Sequence, residues 1–134
     1  MIPPTRVRLA AAALAVAALG ASAAPATTPA ELQAGYSAQA GGAASADRGQ
    51  QLFTRTHGRE WSCASCHGAT PTQAGKHAAT GKSIAPLAPA FNAERFTDAA
   101  MTEKWFRRNC KDVMDRECSA AEKADVIAWL RTLK

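Results

Sequence analysis

Hydrophobic and polar positions divide the chain into a leader, helical segments and one long aperiodic stretch. Leu9 to Leu19 is an unbroken apolar run ending at Gly20. Ala24 to Ala44 is rich in Ala, Gly, Ser, Thr and Pro, yet Thr28-Pro29-Ala30-Glu31 is a helix start: Thr28 can cap, Pro29 suits the first position and Glu31 completes a capping box. A short helix to about Ser37 is expected, then a flexible Gly41-Gly42 link. Ser45 offers a cap for a second helix through about Thr56, in which Gly49, Leu52 and Phe53 share a face. Gly68 to Asn92 has no helical period and contains Pro71, Pro86, Pro89, Gly75 and Gly81, so it reads as a long loop of the length that usually serves function. Thr97 is expected to cap a helix from Asp98 to about Arg108 with Met101, Trp105 and Phe106 on its apolar side. Ser119-Ala120-Ala121-Glu122 is a further capping box, opening a helix to about Leu133 with Ala124, Ile127, Ala128, Trp129 and Leu130 as its stripe. No segment reads as a strand and no repeat is visible. The pattern predicts an all-α fold with one long loop.

The leader bears on compartment. Arg6 and Arg8 precede the apolar run, and Ala21-Ser22-Ala23 follows it. This is the pattern of a secretory signal peptide over residues 1–23, cleaved after Ala23 or beside it. A run of eleven apolar residues is too short to span a bilayer, which takes about 20. The remainder divides into residues 24–44, a short helix and linker, and 45–134, one domain with one core. The formal charge of +5 falls to about +3 when Arg6 and Arg8 leave. No aromatic-interleaved basic block is present, so nucleic-acid binding is not expected, and mild surface charge bears instead on encounter with a redox partner.

The chemistry is concentrated in Cys63-Ala64-Ser65-Cys66-His67. C-x-x-C-H is the attachment signature of a c-type haem: two thiols three positions apart form thioethers to the porphyrin, and the adjacent histidine lies under the iron. Zinc would require a second ligand pair at matching spacing, which Cys110 and Cys118 do not supply. A thioredoxin-like dithiol would require a βαβ pattern, which is absent. One covalent haem c is therefore the expected cofactor, with Cys63, Cys66 and His67 holding it. Cys110 and Cys118 are left over as a pair, and in an exported protein a disulfide is the default. A helix carrying Gly49-x-x-x-Phe53, then C-x-x-C-H, then a last helix with an aromatic is similar to the layout of class I c-type cytochromes. That resemblance implies close contact of Gly49 with the last helix near Trp129, Phe53 beside it, and a loop wrapped around the haem.

The second axial position decides between electron transfer and ligand binding. Met101 lies within a predicted helix, where methionine is more often core. Met114 lies inside the Cys110–Cys118 loop, and His57 and His77 lie in loop-like sequence where solvated surface is the expected place. The long loop contains no methionine. The residues alone leave two arrangements open, an exchangeable site or ligation by Met114.

Longer blocks go further. Trp61 to Gly68, Thr80 to Pro89, Arg95-Phe96-Thr97-Asp98, Glu103 to Cys110, Arg116-Glu117-Cys118 and Ala121 to Asp125 together resemble the sphaeroides haem protein family, over nearly all of residues 30 to 133. The resemblance implies that Asn109 is the distal ligand, immediately before a Cys110–Cys118 bridge. It also implies that this ligand is released on reduction, so that oxygen, nitric oxide or a similar small molecule binds in its place. By the same resemblance, electrons come from a dihaem cytochrome c and a membrane cytochrome b in the periplasm. An amide oxygen is a hard, weak donor suited to ferric and poorly suited to ferrous iron. From the residues alone, Asn109 would be a helix C-cap. Two other functions stay open at this point: a simple electron carrier with Met114 or Met101 bound, and a haem reductase of a small oxygen or nitrogen species.

Overall fold

Three of the four long helices begin where local chemistry places them. In the computed structural model, which describes residues 26–134, helix α1 spans Pro29–Ala40, α2 Ala46–Thr54, α3 Cys63–His67, α4 Ala99–Met114 and α5 Ala120–Leu130, with strands β1 (Gly75–Lys76) and β2 (Ser83–Ile84) between α3 and α4. The leader expected over residues 1–23 and its expected cleavage site lie outside the described residues. Thr28 and Glu31 form the reciprocal box at α1, Ser45 caps α2 through the Arg48 N–H, and Ser119 and Glu122 form the box at α5. Each satisfies donors that a helix start would otherwise leave bare. Among the described residues no helix is long and apolar enough to cross a membrane.

Several helix boundaries differ from the sequence reading; α2 ends at Thr54 and α5 at Leu130, two and three residues early. The cap of α4 is Asp98, whose carboxylate accepts from the Met101 N–H at 2.8 Å, while Thr97 donates its hydroxyl to the Glu94 carbonyl. The helix also passes Arg108 and Asn109 and ends only at Asp115, which adopts φ 59°. The physical reason is burial: Cys110, Val113 and Met114 pack with Cys118 into one cluster, to which Trp61, Cys63 and Phe106 add. Helix α1 likewise runs to Ala40, three residues past the expected end, where Gly41 at φ 68° closes it.

The centre of the fold is α5, whose residues Lys123 to Ile127, Trp129 and Leu130 are buried. Helix α2 lies against it so closely that a Cβ on Gly49 would stand 2.0 Å from the Asp125 carbonyl oxygen. Phe53 meets Trp129 with ring centroids 5.0 Å apart. Asp125, buried, receives the Ser45 N–H at 2.6 Å and the Arg48 guanidinium at 2.7 and 2.9 Å, which locks the start of α2 to α5. On another side of α5, α1 inserts Tyr36 beside Ala124 and Ile127. The Tyr36 hydroxyl donates to Glu103 of α4 at 2.8 Å, and Lys123 of α5 reaches the same carboxylate at 2.6 Å. One carboxylate thus joins three helices.

The long loop holds a feature too short for a period-two pattern. Gly75 pairs with Ile84 and Lys76 with Ser83 in a two-rung antiparallel ladder, so the expectation of no strand fails at this one place. Elsewhere the loop is tied across itself: Leu87 and Ala88 donate backbone N–H groups to the Pro71 carbonyl at 3.1 and 3.0 Å.

Candidate functional site

Cys63 to His67 form a single helical segment, α3. Ser65 accepts the Ser62 N–H at 3.0 Å, and Gly68, at φ 81°, ends the segment by donating its N–H to the Ala64 carbonyl at 2.8 Å. A Cβ on Gly75 would lie 2.1 Å from the Cys66 carbonyl oxygen, so the loop strand runs directly against the segment. The Ala78 N–H points at the Cys66 sulfur from 3.3 Å. On the other side Cys63 and Ala64 pack on the α2–α5 core.

The donor chemistry of this segment fits a covalent haem. Cys63 and Cys66 are both free thiols, although they are near neighbours in one turn. Burial pushes the Cys63 thiol up to about 11, so it is held protonated. Burial, aided by the nearby Arg95 guanidinium, holds His67 down to about 4, which keeps the imidazole neutral, the form that ligates metal. No hydrogen bond among the described residues engages its ring. The His67 ring lies 6.1 Å from that of Phe53, so the helix core supports it from behind. No group of three or more His, Cys, Asp or Glu side chains suited to a metal ion occurs among the described residues.

Asn109 occupies the interior of α4, five residues before its end. It is half-buried, and its amide has no hydrogen-bond partner among the described residues. At helical spacing it follows Trp105 by one turn and Met101 by two. Trp105 is 44% exposed and Met101 47%. The expected core side of α4 is therefore divided: Phe106 faces inward against Tyr36 and Phe96, while Met101 and Trp105 stand on the row with Asn109. Cys110, next along the chain, is bonded to Cys118 with a Cα–Cα separation of 5.6 Å. Cys63 packs on both this disulfide cluster and the α2–α5 core, so α3 and the Asn109 end of α4 meet at Cys63.

The other distal candidates have different surroundings. Met114 is buried among Cys110, Val113 and Cys118. His57 hydrogen-bonds through Nε2 to the Leu52 carbonyl at 2.8 Å, near the end of α2. His77 accepts the Thr80 N–H at Nδ1, 3.2 Å away, inside the loop turn. Both histidines are half-buried and tied to backbone, not solvated as the sequence pattern suggested.

Three supporting elements had no local signal. Arg95 donates to the Pro86 and Ala85 carbonyls at 2.9 and 2.8 Å, and Asn92 adds a bond to Pro86 at 3.3 Å, pinning the loop. The Tyr36–Glu103–Lys123 group joins residues 20 to 87 positions apart in sequence. Gly75 was visible only as one loop glycine among several.

Known proteins resemble this chain over most of its length. A family model described as a domain of unknown function (DUF1924) matches residues 39–130. The chain is 54% identical over 108 residues to the cytochrome c-type protein SHP of Cereibacter sphaeroides, covering 78% of this chain and 83% of that protein. The solved structure of oxidised SHP, described as an oxygen-binding cytochrome c, has a TM-score of 0.74 at 51% identity, covering 79% of this chain and 97% of that one. The solution structure of cytochrome c'' from Methylophilus methylotrophus, described in terms of the structural basis of haem-ligand detachment, gives 0.69 at 38% identity, covering 78% of this chain and 92% of that one.

Proposed function

Because the chain belongs to the SHP family of c-type cytochromes, we propose that it binds small diatomic ligands at a haem whose second axial position is opened by reduction. A haem tethered at Cys63 and Cys66 supplies one-electron chemistry and a coordination site for small molecules. His67, held neutral by burial, is the proximal ligand in this reading. Asn109 is the releasable distal one. Its amide oxygen is a hard donor matched to ferric iron and mismatched to ferrous, so Asn109 would hold the ferric haem and would leave room for oxygen or nitric oxide once the iron is reduced.

The observation that best supports this reading is the contrast between Asn109 and Met114. Asn109 is half-buried and its amide has no hydrogen-bond partner among the described residues, whereas Met114 is buried in the disulfide cluster. The descriptions of the relatives, one as oxygen-binding and one in terms of haem-ligand detachment, point the same way. Electrons would come from a dihaem cytochrome c and a membrane cytochrome b, in a periplasmic setting reached through the 1–23 leader.

The test is spectroscopic. Carbon monoxide added to the dithionite-reduced holoprotein should shift the Soret band at once, and a reduced protein that stays unresponsive would exclude an open iron. Asn109→Ala should change the ferric spectrum and leave the ferrous one nearly unchanged; equal changes in both states would rule out release on reduction.

A further inference from the structure

Helix α4 has a second face, next to the row of Met101, Trp105 and Asn109. At 100° per residue, Lys104, Arg107, Arg108 and Lys111 fall within an arc of about 100°. All four are exposed, and none forms an ion pair with a described residue. The remaining charges of α4 lie outside the arc: Asp98 and Asp115 cap the ends, exposed Asp112 falls on the row of Met101 and Trp105 one turn after Arg108, and Glu103, to which Arg107 lends a longer-range pull, is engaged by Tyr36 and Lys123. Arg108 lies over the Trp105 ring, 5.6 Å from its centroid, so the basic stripe passes directly into the exposed apolar row.

We infer that this stripe is the docking surface for an acidic, soluble electron-transfer protein, an inference that rests on the haem function proposed above and names its partner face. Four exposed cations on one helix face, none in an ion pair with a described residue, are complementary to an acidic protein surface, and the neighbouring row of Met101, Trp105 and Asn109 is left to the haem. A polyanion such as nucleic acid or an anionic membrane would be matched by a longer basic surface. Here the positive area is one helix long and closed by aspartates at both ends. Docking over α4 sets the partner beside the helix that carries Asn109. One electron then leaves the partner's reduced centre, which is oxidised by one unit, and the ferric iron becomes ferrous. Charges so placed act mainly on the association rate and are screened by salt.

The holoprotein is tested by stopped-flow reduction with flavodoxin, an acidic carrier whose anionic hydroquinone becomes the neutral semiquinone as it gives up one electron. Lys104→Glu/Lys111→Glu should slow the bimolecular step by about tenfold or more at low salt, and the difference should vanish at about 0.5 M salt, where screening acts over a few ångströms. Arg55→Glu/Lys134→Glu, the same charge change at exposed sites elsewhere, should slow it far less. Equal slowing by both pairs, or none by the first, overturns the inference. So does loss of binding to anionic vesicles or duplex DNA in the first pair with the flavodoxin rate unchanged, because the occupant is then a polyanion. Carbon monoxide binding to the reduced protein is measured in parallel. Its absence in the wild type counts against the haem reading alone, and its preservation in the variants shows that the site is intact.

Discussion

Replacing Glu122 by Gln isolates the charge that holds the junction between α4 and α5. Glu122 takes the Arg116 guanidinium on both oxygens, at 2.8 and 2.7 Å, and accepts the Ser119 N–H at 2.8 Å. These three bonds straddle Cys118, the far end of the disulfide next to Asn109. First the Arg116 bonds, then the Ser119 N–H bond, hold the carboxyl down to about 2, against 4.5 for a free glutamate. At about 1.4 kcal/mol per unit the ceiling is about 3 kcal/mol. Arg116 is half-exposed, so solvent screening reduces the contribution to about 1–2 kcal/mol. The unfolded chain takes up protons more readily, so this stability is complete above about pH 4.5 and lost as pH falls toward 2. Gln keeps an acceptor for the Ser119 N–H, which confines the effect to charge. Urea unfolding of the holoprotein, followed by circular dichroism, should show Glu122→Gln weaker by about 1–2 kcal/mol near pH 7, with the gap narrowing steadily below pH 4.5. A gap that stays constant down to about pH 3, or none at neutrality, would refute the reasoning. Arg116→Gln should cost a similar amount, and the double variant little more.

Two other perturbations test the packing that positions the site. Gly49→Ala places a Cβ 2.0 Å from the Asp125 carbonyl oxygen and 2.4 Å from its carbon, both backbone atoms, so α2 and α5 must separate. Overpacking of about 1–3 kcal/mol outweighs the helix propensity gained, and a midpoint of denaturation equal to or above wild type would contradict it. Cys110→Ala/Cys118→Ala opens a loop with a sequence separation of eight, at about 2.5 kcal/mol on the chain-entropy estimate. Hydrogen exchange should rise first at Val113 and Met114, and protection unchanged there would mean that burial alone holds the last turn of α4.

Much of the framework was legible because its signals are local. Thr28, Ser45 and Ser119 announce three helix starts within four residues of chain each, and Cys63-Ala64-Ser65-Cys66-His67 carries tether and ligand in five. Asp98 was missed because Thr97 is also a capping residue, and neighbours compete for that role on geometry that sequence does not contain. The ladder at Gly75 and Ser83 depends on the close approach of Gly75 to α3, and Glu103 on partners 67 and 20 residues away. Such contacts leave no periodic trace.

The end of α4 is the consequential case. Asn-Cys-Lys-Asp reads as a helix terminus because asparagine suits a C-cap, and a terminus would let the backbone at Asn109 swing. Burial of Cys110, Val113 and Met114 with Cys118 overrides that preference, and α4 continues for five residues. Helical hydrogen bonds on both sides then fix the Asn109 backbone, and the disulfide anchors the next residue. Release of the amide on reduction, as proposed, must therefore be a rotation of the side chain and not a fraying of the helix. In that reading the amide would return to one position after each oxidation, because only its side-chain torsions would have moved.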